Sequence, residues 1–276
     1  MNALLSLTPE QFTQFQQFIY RHTGIWTVDG KVALLSNRIR RRLRDHGLES
    51  FDDYYKLLVA GTVAGELEAF IDAITTNETH FFRTPEHFDW FAGPFLDEMI
   101  ARATAGKRER SLRIWSAACS TGEEPYSLAI CLAENAPRLA GWTLQIVGTD
   151  ICTTALKTAR TATYGPKAVE HVSPERLARH FVVGPAKDTW RLKPSVAGLC
   201  EFQRHNLLEP MTGGPFDCIV IRNVLIYFDR TSKPIALRHL IHALRSGGYL
   251  VPGSTDGAHD FLDGLERRSN FVYQKP

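Results

Sequence analysis

The stretch at residues 113–127, RIWSAACSTGEEPYS, constrains this chain more than any other. Its first half is β-prone, apolar and small. Its middle is a tight turn of Ser, Thr and Gly, and its end opens a helix. Pro125 fits there because an N–H in a first helical turn has no intrahelical partner to lose. Tyr126, Ala129, Ile130 and Ala133 then follow at i, i+3, i+4, i+7, the apolar face of a helix. Strand, turn and helix N-terminus in this order is where an open α/β sheet holds a ligand.

The chain downstream repeats the same alternation. Strands are expected at 112–118, 143–149, 200–205, 216–221 and 249–252, with a short last one at 271–274. Helices are expected from the opening loop to about 134, at 153–163 and at 229–244, the last capped by Asp229. Repeated βα units imply a mostly parallel sheet with helices on both faces. Between 164 and 197 the alternation breaks into proline turns, a short helix at 174–180 and two β-prone pieces at 181–183 and 189–192. This segment reads as an insertion, about 164–199, built on a small antiparallel hairpin.

Residues 1–75 read as a separate helical domain. Thr8-Pro9-Glu10-Gln11 is a helix start with a capping box. Phe12, Phe15, Phe18 and Ile19 give that helix its apolar face, and His22-Thr23-Gly24 ends it. A second helix, 31–45, buries Val32, Leu35, Ile39 and Leu43. Further helices are expected at 51–59 and 64–74. Arg38, Arg41 and Arg42 share one flank of the second helix, and Arg40 and Arg44 the other. That pattern suits either a solvated helix or an anion-binding face for an acidic partner. Residues 76–90 form a linker whose Phe81-Phe82-Arg83 suggests a segment pinned against something, and a helix is expected at 88–102. The main domain covers 91–276.

Composition removes several classes. A net charge of +2, with no aromatic stripe among the arginines, argues against nucleic acid. No run of about 18 apolar residues exists, so membrane insertion is not expected. The N-terminal MNALLSLTPEQF has no basic region leading into a long apolar core, so no secretory signal is expected. Five scattered cysteines without a C-x-x-C argue against a disulfide framework or structural zinc, and fit a reducing cytoplasm.

The opening loop has one glycine, Gly122, where a pyrophosphate-binding loop would carry several. It adds Glu123 and Glu124, which suit either helix capping or a ligand with a cationic group. Asp150 ends the second strand, where a carboxylate binds ribose hydroxyls, though it could equally cap the next helix. Together these features favour an adenosine ligand without phosphates, and S-adenosylmethionine fits. The buried run 216–221 leads into Arg222-Asn223, polar groups at the same sheet edge. Asn206-Leu207-Leu208, after the preceding strand, reads alone as an Asn turn.

These residues resemble a known family, the chemotaxis receptor glutamate O-methyltransferases (CheR family). The motifs are TTNETHFFR (75–83), IWSAACSTGEEPYS (114–127), GTDI (148–151), HNLLEP (205–210) and FDCIVIRNVLIYF (216–228), with the strand leading to Asp256. The resemblance implies an α/β class I (Rossmann-like) S-adenosylmethionine-dependent methyltransferase domain. It also implies a small all-helical N-terminal domain before it and a small antiparallel β insertion within it. Cofactor contacts are implied for Asn77, Thr79, Arg83, Ala118, Asp150, Ile151, Asn206, Leu207, Arg222 and Asn223, and for Glu123 or Glu124, between which spacing does not decide. Arg83, Arg222 and Tyr227 are expected to orient the incoming carboxylate. The implied reaction methylates glutamate side chains of chemoreceptors, releasing S-adenosylhomocysteine and needing no metal. The acidic cytoplasmic helical bundle of the receptor is the expected partner, docked on Arg38, Arg41 and Arg42. Two departures stand out. The usual GxSE-like ending reads Gly253-Ser254-Thr255-Asp256, leaving that loop's role open. The hairpin loop near 183–189 is short and lacks a glycine-rich tip, so no receptor C-terminal pentapeptide tether is expected. Two rival readings are a methyltransferase acting on another substrate such as RNA, and a non-enzymatic protein that senses S-adenosylmethionine or its product.

Overall fold

A computed structural model describes residues 6–276; residues 1–5, the start of the stretch read above for a secretory signal, lie outside the described residues. Four helices come first: α1 (Pro9–Thr23), α2 (Val32–Asp45), α3 (Phe51–Ala60) and α4 (Glu66–Ile74). The Thr8 hydroxyl accepts from Gln11 N at 3.2 Å and the Gln11 side chain accepts from Thr8 N at 3.0 Å, the reciprocal cap foreseen from the sequence. Phe12, Phe15, Ile19, Leu35, Ile39, Leu43, Tyr54 and Phe70 form one core among these helices. Val32, expected within the buried stripe, is only partly buried.

The helix expected at 88–102 is three pieces: α5 (Pro85–Trp90), one π-helical turn (Phe91–Phe95) and α6 (Leu96–Thr104). Pro94 has no N–H to return to Trp90, and the chain widens there.

The main domain then runs β1 (Ser111–Ala117), α7 (Glu123–Glu134), β2 (Thr143–Asp150) and α8 (Thr153–Thr161). The insertion follows with β3 (Thr163–Tyr164), α9 (Pro166–Val169), α10 (Pro174–His180), β4 (Phe181–Val183), β5 (Trp190–Leu192) and α11 (Pro194–Ala197). The chain closes with β6 (Cys200–Arg204), β7 (Phe216–Ile221), α12 (Ser232–Ala243), β8 (Leu244–Pro252), β9 (Glu266–Arg267) and β10 (Tyr273–Gln274). Asp229 does not begin α12; its carboxylate accepts from Thr231 N and Ser232 N in the turn before it.

The large sheet has seven strands in the order β6-β2-β1-β7-β8-β10-β9, the first five parallel and β10 antiparallel to both β8 and β9. Alternation sends Leu112 and Ile114 to one face, against Leu128 and Ile130 of α7, and Trp115 and Ala117 to the other, against Leu237 and Leu240 of α12. The insertion is a three-stranded antiparallel sheet, β3-β5-β4, one strand more than the expected hairpin. Among the described residues no helix is long and apolar enough to cross a membrane.

Two seams fasten the helical domain to the sheet domain. At one, Gly24 ends α1 at φ 73°, and a Cβ there would lie 2.9 Å from Leu208 and 3.0 Å from Phe228. Ser232 Oγ donates to Gly24 O, and Tyr20 OH donates to Asp229. At the other, Asp72 of α4 accepts from the backbone N–H and the hydroxyl of both Thr153 and Thr154, at 2.6–2.9 Å. A carboxylate from one domain thus caps the first turn of α8 in the other.

Candidate active site

Strand register assembles the site. Ala117 of β1 lies level with Thr149 of β2 and with Ile221 of β7, and Ile221 lies level with Pro252 of β8. Ala118, Asp150, Arg222 and Gly253 therefore leave the sheet along one edge, at the point where the strand order turns back on itself. Asp150 is also level with Arg204 of β6, which brings His205 and Asn206 to the same edge.

The loop after β1 turns sharply, with Ala118 at φ 60°, Ser120 at φ 53° and Gly122 at φ 95°. A Cβ on Gly122 would lie 2.8 Å from that of Ala159, so this glycine serves the packing of α7 against α8. The turn aims Ser120 N at Asp150 Oδ2 and leaves Cys152 N on Oδ1, both at 2.8 Å. Asp150 is buried, which pushes its pKa up, and these N–H groups act against that push. Each of its oxygens keeps acceptor capacity for a ligand hydroxyl.

The two glutamates separate. Glu124 turns toward the sheet edge, where its Oε1 accepts from Ser116 Oγ at 2.7 Å and its Oε2 pairs with Arg222 at 3.3 Å. Burial raises its pKa, and the guanidinium opposes that shift. Glu123, also buried and raised by burial, accepts from Thr121 Oγ1 and faces a different groove, beside Tyr164 and Lys167. Spacing could not separate them because adjacent helical residues point about 100° apart and either could face the sheet edge.

The linker crosses above this edge and is held by aromatic packing. Phe81 is fully buried, with Tyr164 at 4.9 Å and Phe181 at 5.3 Å between ring centroids, and its N–H donates to Ala168 O. Phe82, at φ 54°, donates its N–H to Ser127 Oγ and lies under the Arg176 guanidinium, 4.3 Å from the ring centre. The expectation that these aromatics pin the linker holds, and what they pin it to is the insertion together with α7.

One solvent-open cavity lies between the linker and the strand ends. Asn77, Thr79, Arg83, Ala118, Glu124, Asp150, Ile151, Asn206, Leu207, Arg222, Asn223 and Tyr227 all line it. Glu123 does not. His80, Phe88, Ser120 and His205 join the lining, as do Thr23 and Ile25 of the helical domain. His80 carried a local signal, since it sits inside the linker motif. Thr23 and Ile25 carried none, because only domain packing brings them here.

Several candidates are already engaged. Arg222 donates to the backbone carbonyl of Arg83 as well as pairing with Glu124. Asn206 donates to His22 O at 2.9 Å and accepts from Leu208 N, so its amide bridges the two domains. Arg38 donates to Ile74 O and Thr76 Oγ1, bracing the start of the linker. Arg42 does not offer a free docking charge: its guanidinium is bound to Glu66 and Asp45, and Glu66 is bound to His46 and Tyr54. A carboxylate buried among these helices needed a counter-charge, and Arg42 is the residue within reach. Arg41 is exposed.

Two family models match the chain: "CheR methyltransferase, all-alpha domain" over residues 10–75 and "CheR methyltransferase, SAM binding domain" over residues 77–267. The chain is 38% identical over 278 residues to the chemotaxis protein methyltransferase of Salmonella typhimurium, covering 99% of this chain and 92% of the relative. It is 37% identical over 273 residues to the protein of the same name from Escherichia coli, covering 97% and 90%. It is 38% identical over 259 residues to chemotaxis protein methyltransferase 2 of Pseudomonas aeruginosa, covering 92% and 89%.

Proposed function

We infer the activity from one premise: this chain belongs to the CheR methyltransferase family. It transfers a methyl group from S-adenosylmethionine to glutamate side-chain carboxylates of chemoreceptors, giving methyl esters. The observation that carries this reading is a single cavity lined by two separate carboxylates, the buried Asp150 and Glu124 paired with Arg222. The donor set fits the cofactor. Asp150 offers acceptors to ribose hydroxyls, Glu124 offers a negative charge to an ammonium group, and Ile151 and Leu207 offer apolar walls to a base.

When bound, S-adenosylmethionine supplies an electrophilic methyl group. The acceptor is a glutamate carboxylate with an ordinary pKa near 4.3, ionised at neutral pH, so no general base is required. The residues have to align that oxygen and strip part of its water. Arg83, at the rim, and Tyr227 orient it. Arg222, neutralised by Glu124 and held by the Arg83 carbonyl, acts by fixing the wall between cofactor and acceptor. An arginine gripping the carboxylate too closely would quench it, and Glu124 moderates that charge.

The partner is the acidic helical bundle of a receptor, steered by Arg41 and neighbouring charges of α2. The β4–β5 loop, residues 184–189, is short, and docking proceeds without a pentapeptide tether. Five free cysteines fit a cytoplasmic setting.

Radiolabelled methyl transfer into receptor cytoplasmic fragments tests the reading. Alkali-labile label is expected, and Arg83→Ala is expected to lower kcat at least a hundredfold with the fold intact. Label absent from receptor, or a folded Arg83→Ala turning over at the normal rate, refutes the corresponding claim.

A further inference from the structure

Asp256 is fully buried and does not itself line the cavity. Its carboxylate collects backbone N–H groups from two loops. Oδ2 accepts from Asn223 N at 2.7 Å and Gly253 N at 3.0 Å, and Oδ1 accepts from Val224 N at 3.0 Å. The N–H groups of Leu225 and Ile226, at the start of the short 3₁₀ turn Leu225–Tyr227, also turn toward it. Such a run of converging N–H groups forms a concave nest that favours an acceptor with negative charge.

The backbone at Asn223 explains what this anion does. Asn223 sits at φ 57°, a left-handed conformation that a residue with a Cβ adopts only when its surroundings hold it. Asp256 grips the N–H on both sides of that residue's Cα, its own and that of Val224. Thr255, next in the same loop, receives the Asn223 side-chain amide at 3.3 Å. The loop is itself anchored, since Lys233 Nζ donates to Asp256 O at 2.7 Å and Asp256 N donates to Gly253 O. Glycine at 253 leaves room for this carboxylate, since a Cβ there would lie 2.4 Å from Asp256 Oδ2 and push it aside.

We propose that Asp256 is a positioning residue: it holds Asn223 in its left-handed turn and so sets the cavity wall from Arg222 to Tyr227. The loop Gly253–Asp256 then has a definite task in place of the family's GxSE-like ending. The proposal rests on the cofactor reading above, because its readout is affinity for the product.

Calorimetry with S-adenosylhomocysteine on the full chain tests it. Asp256→Asn presents an amide N–H to donors and is expected to weaken binding at least tenfold. Asn223→Gly itself weakens binding by removing an amide from the wall, but glycine adopts the left-handed turn without help. In that background Asp256→Asn is therefore expected to cost less than threefold. Equal losses in both backgrounds, or binding by Asp256→Asn within twofold of the parent, overturn the proposal. Circular dichroism and thermal melting report whether the variant folds. If Asp256→Asn does not fold, Gly253→Ala replaces it, since the added Cβ displaces the carboxylate while keeping its charge. The same tenfold loss, relieved by Asn223→Gly, is expected; an unrelieved loss overturns the proposal. No receptor enters this experiment, so failure of the receptor reading in the transfer assay leaves its result standing.

Discussion

Glu124, half-buried, and Arg222, buried, form an ion pair 3.3 Å apart that ties the first turn of α7 to the carboxyl end of β7 across the crevice of the sheet. Ser116 Oγ holds the other glutamate oxygen at 2.7 Å, so the carboxylate cannot swing away without leaving two partners behind. Glu124→Gln removes the negative charge offered to an ammonium group and leaves Arg222 without its partner, so it is expected to weaken S-adenosylhomocysteine binding at least tenfold; the fold is expected to persist, since burial already favours the neutral form at this position. Glu123→Gln, turned to another groove, is expected to stay within threefold in affinity. Calorimetry and urea unfolding of the two variants check this.

Cofactor affinity is expected to weaken in mild acid. Burial pushes the Asp150 and Glu124 carboxyls above their ordinary values, so they take up protons at higher pH than exposed acids do. The ionised forms are the ones that accept ribose hydroxyls and attract an ammonium group. Affinity for S-adenosylhomocysteine therefore falls as pH descends toward the ordinary carboxylate range, beginning above pH about 4.5. Stability moves the other way for these two groups. A raised folded pKa contributes stability that is fully present below the unfolded value and is lost as pH rises through the folded one. A pH series of binding isotherms, paired with thermal melts, separates lost affinity from unfolding. Asp150→Asn is expected to bind weakly at every pH and to show a shallower dependence.

Asp72 behaves in the opposite sense. Burial raises its pKa, but the hydrogen bonds from Thr153 and Thr154 outweigh that and hold the carboxyl below its ordinary value. Its contribution is present above the unfolded pKa of about 3.9 and is lost as pH falls through the folded value. Asp72→Asn is expected to cost about 1–2 kcal/mol at pH 7, the range for a lost helix cap. The difference from the parent is expected to vanish in strong acid, once the pH lies below the folded value. Urea unfolding at several pH values measures this directly.

The arginines of α2 are expected to divide. Arg41→Glu reverses an exposed charge and should raise KM for receptor at least fivefold at low salt, with the gap closing at high salt as screening removes it. Arg42→Ala leaves Glu66 buried without its main counter-charge and should destabilise the helical domain by about 3 kcal/mol. Steady-state methylation across a salt series, with a melt of each variant, distinguishes docking from folding.

Much of this was legible in the chain. The helix cap at Thr8, the strand leading into Asp150 and the buried run 216–221 rest on local pattern, and local pattern is a property of neighbouring residues. The split of the helix at Pro94 was also local, but a proline in a helical pattern does not say whether the helix stops or widens. The partners of Arg42 and Asn206 were illegible for a different reason. Arginine and asparagine look available in a sequence, and only a partner supplied from elsewhere, Glu66 or the His22 carbonyl, shows that they are committed.

The sequence by itself determined the two domains, the alternation that makes the parallel sheet, and the residue types that meet at its carboxyl edge. Periodicity and chain chirality specify those without reference to distant contacts. The tertiary structure alone decided which glutamate faces the cavity, what the paired phenylalanines are pinned to, and why Asp256 is buried. Each of these depends on residues far apart in the chain, and burial gives such meetings their energetic weight, because a polar group removed from water has to find its partner in whatever the fold brings near.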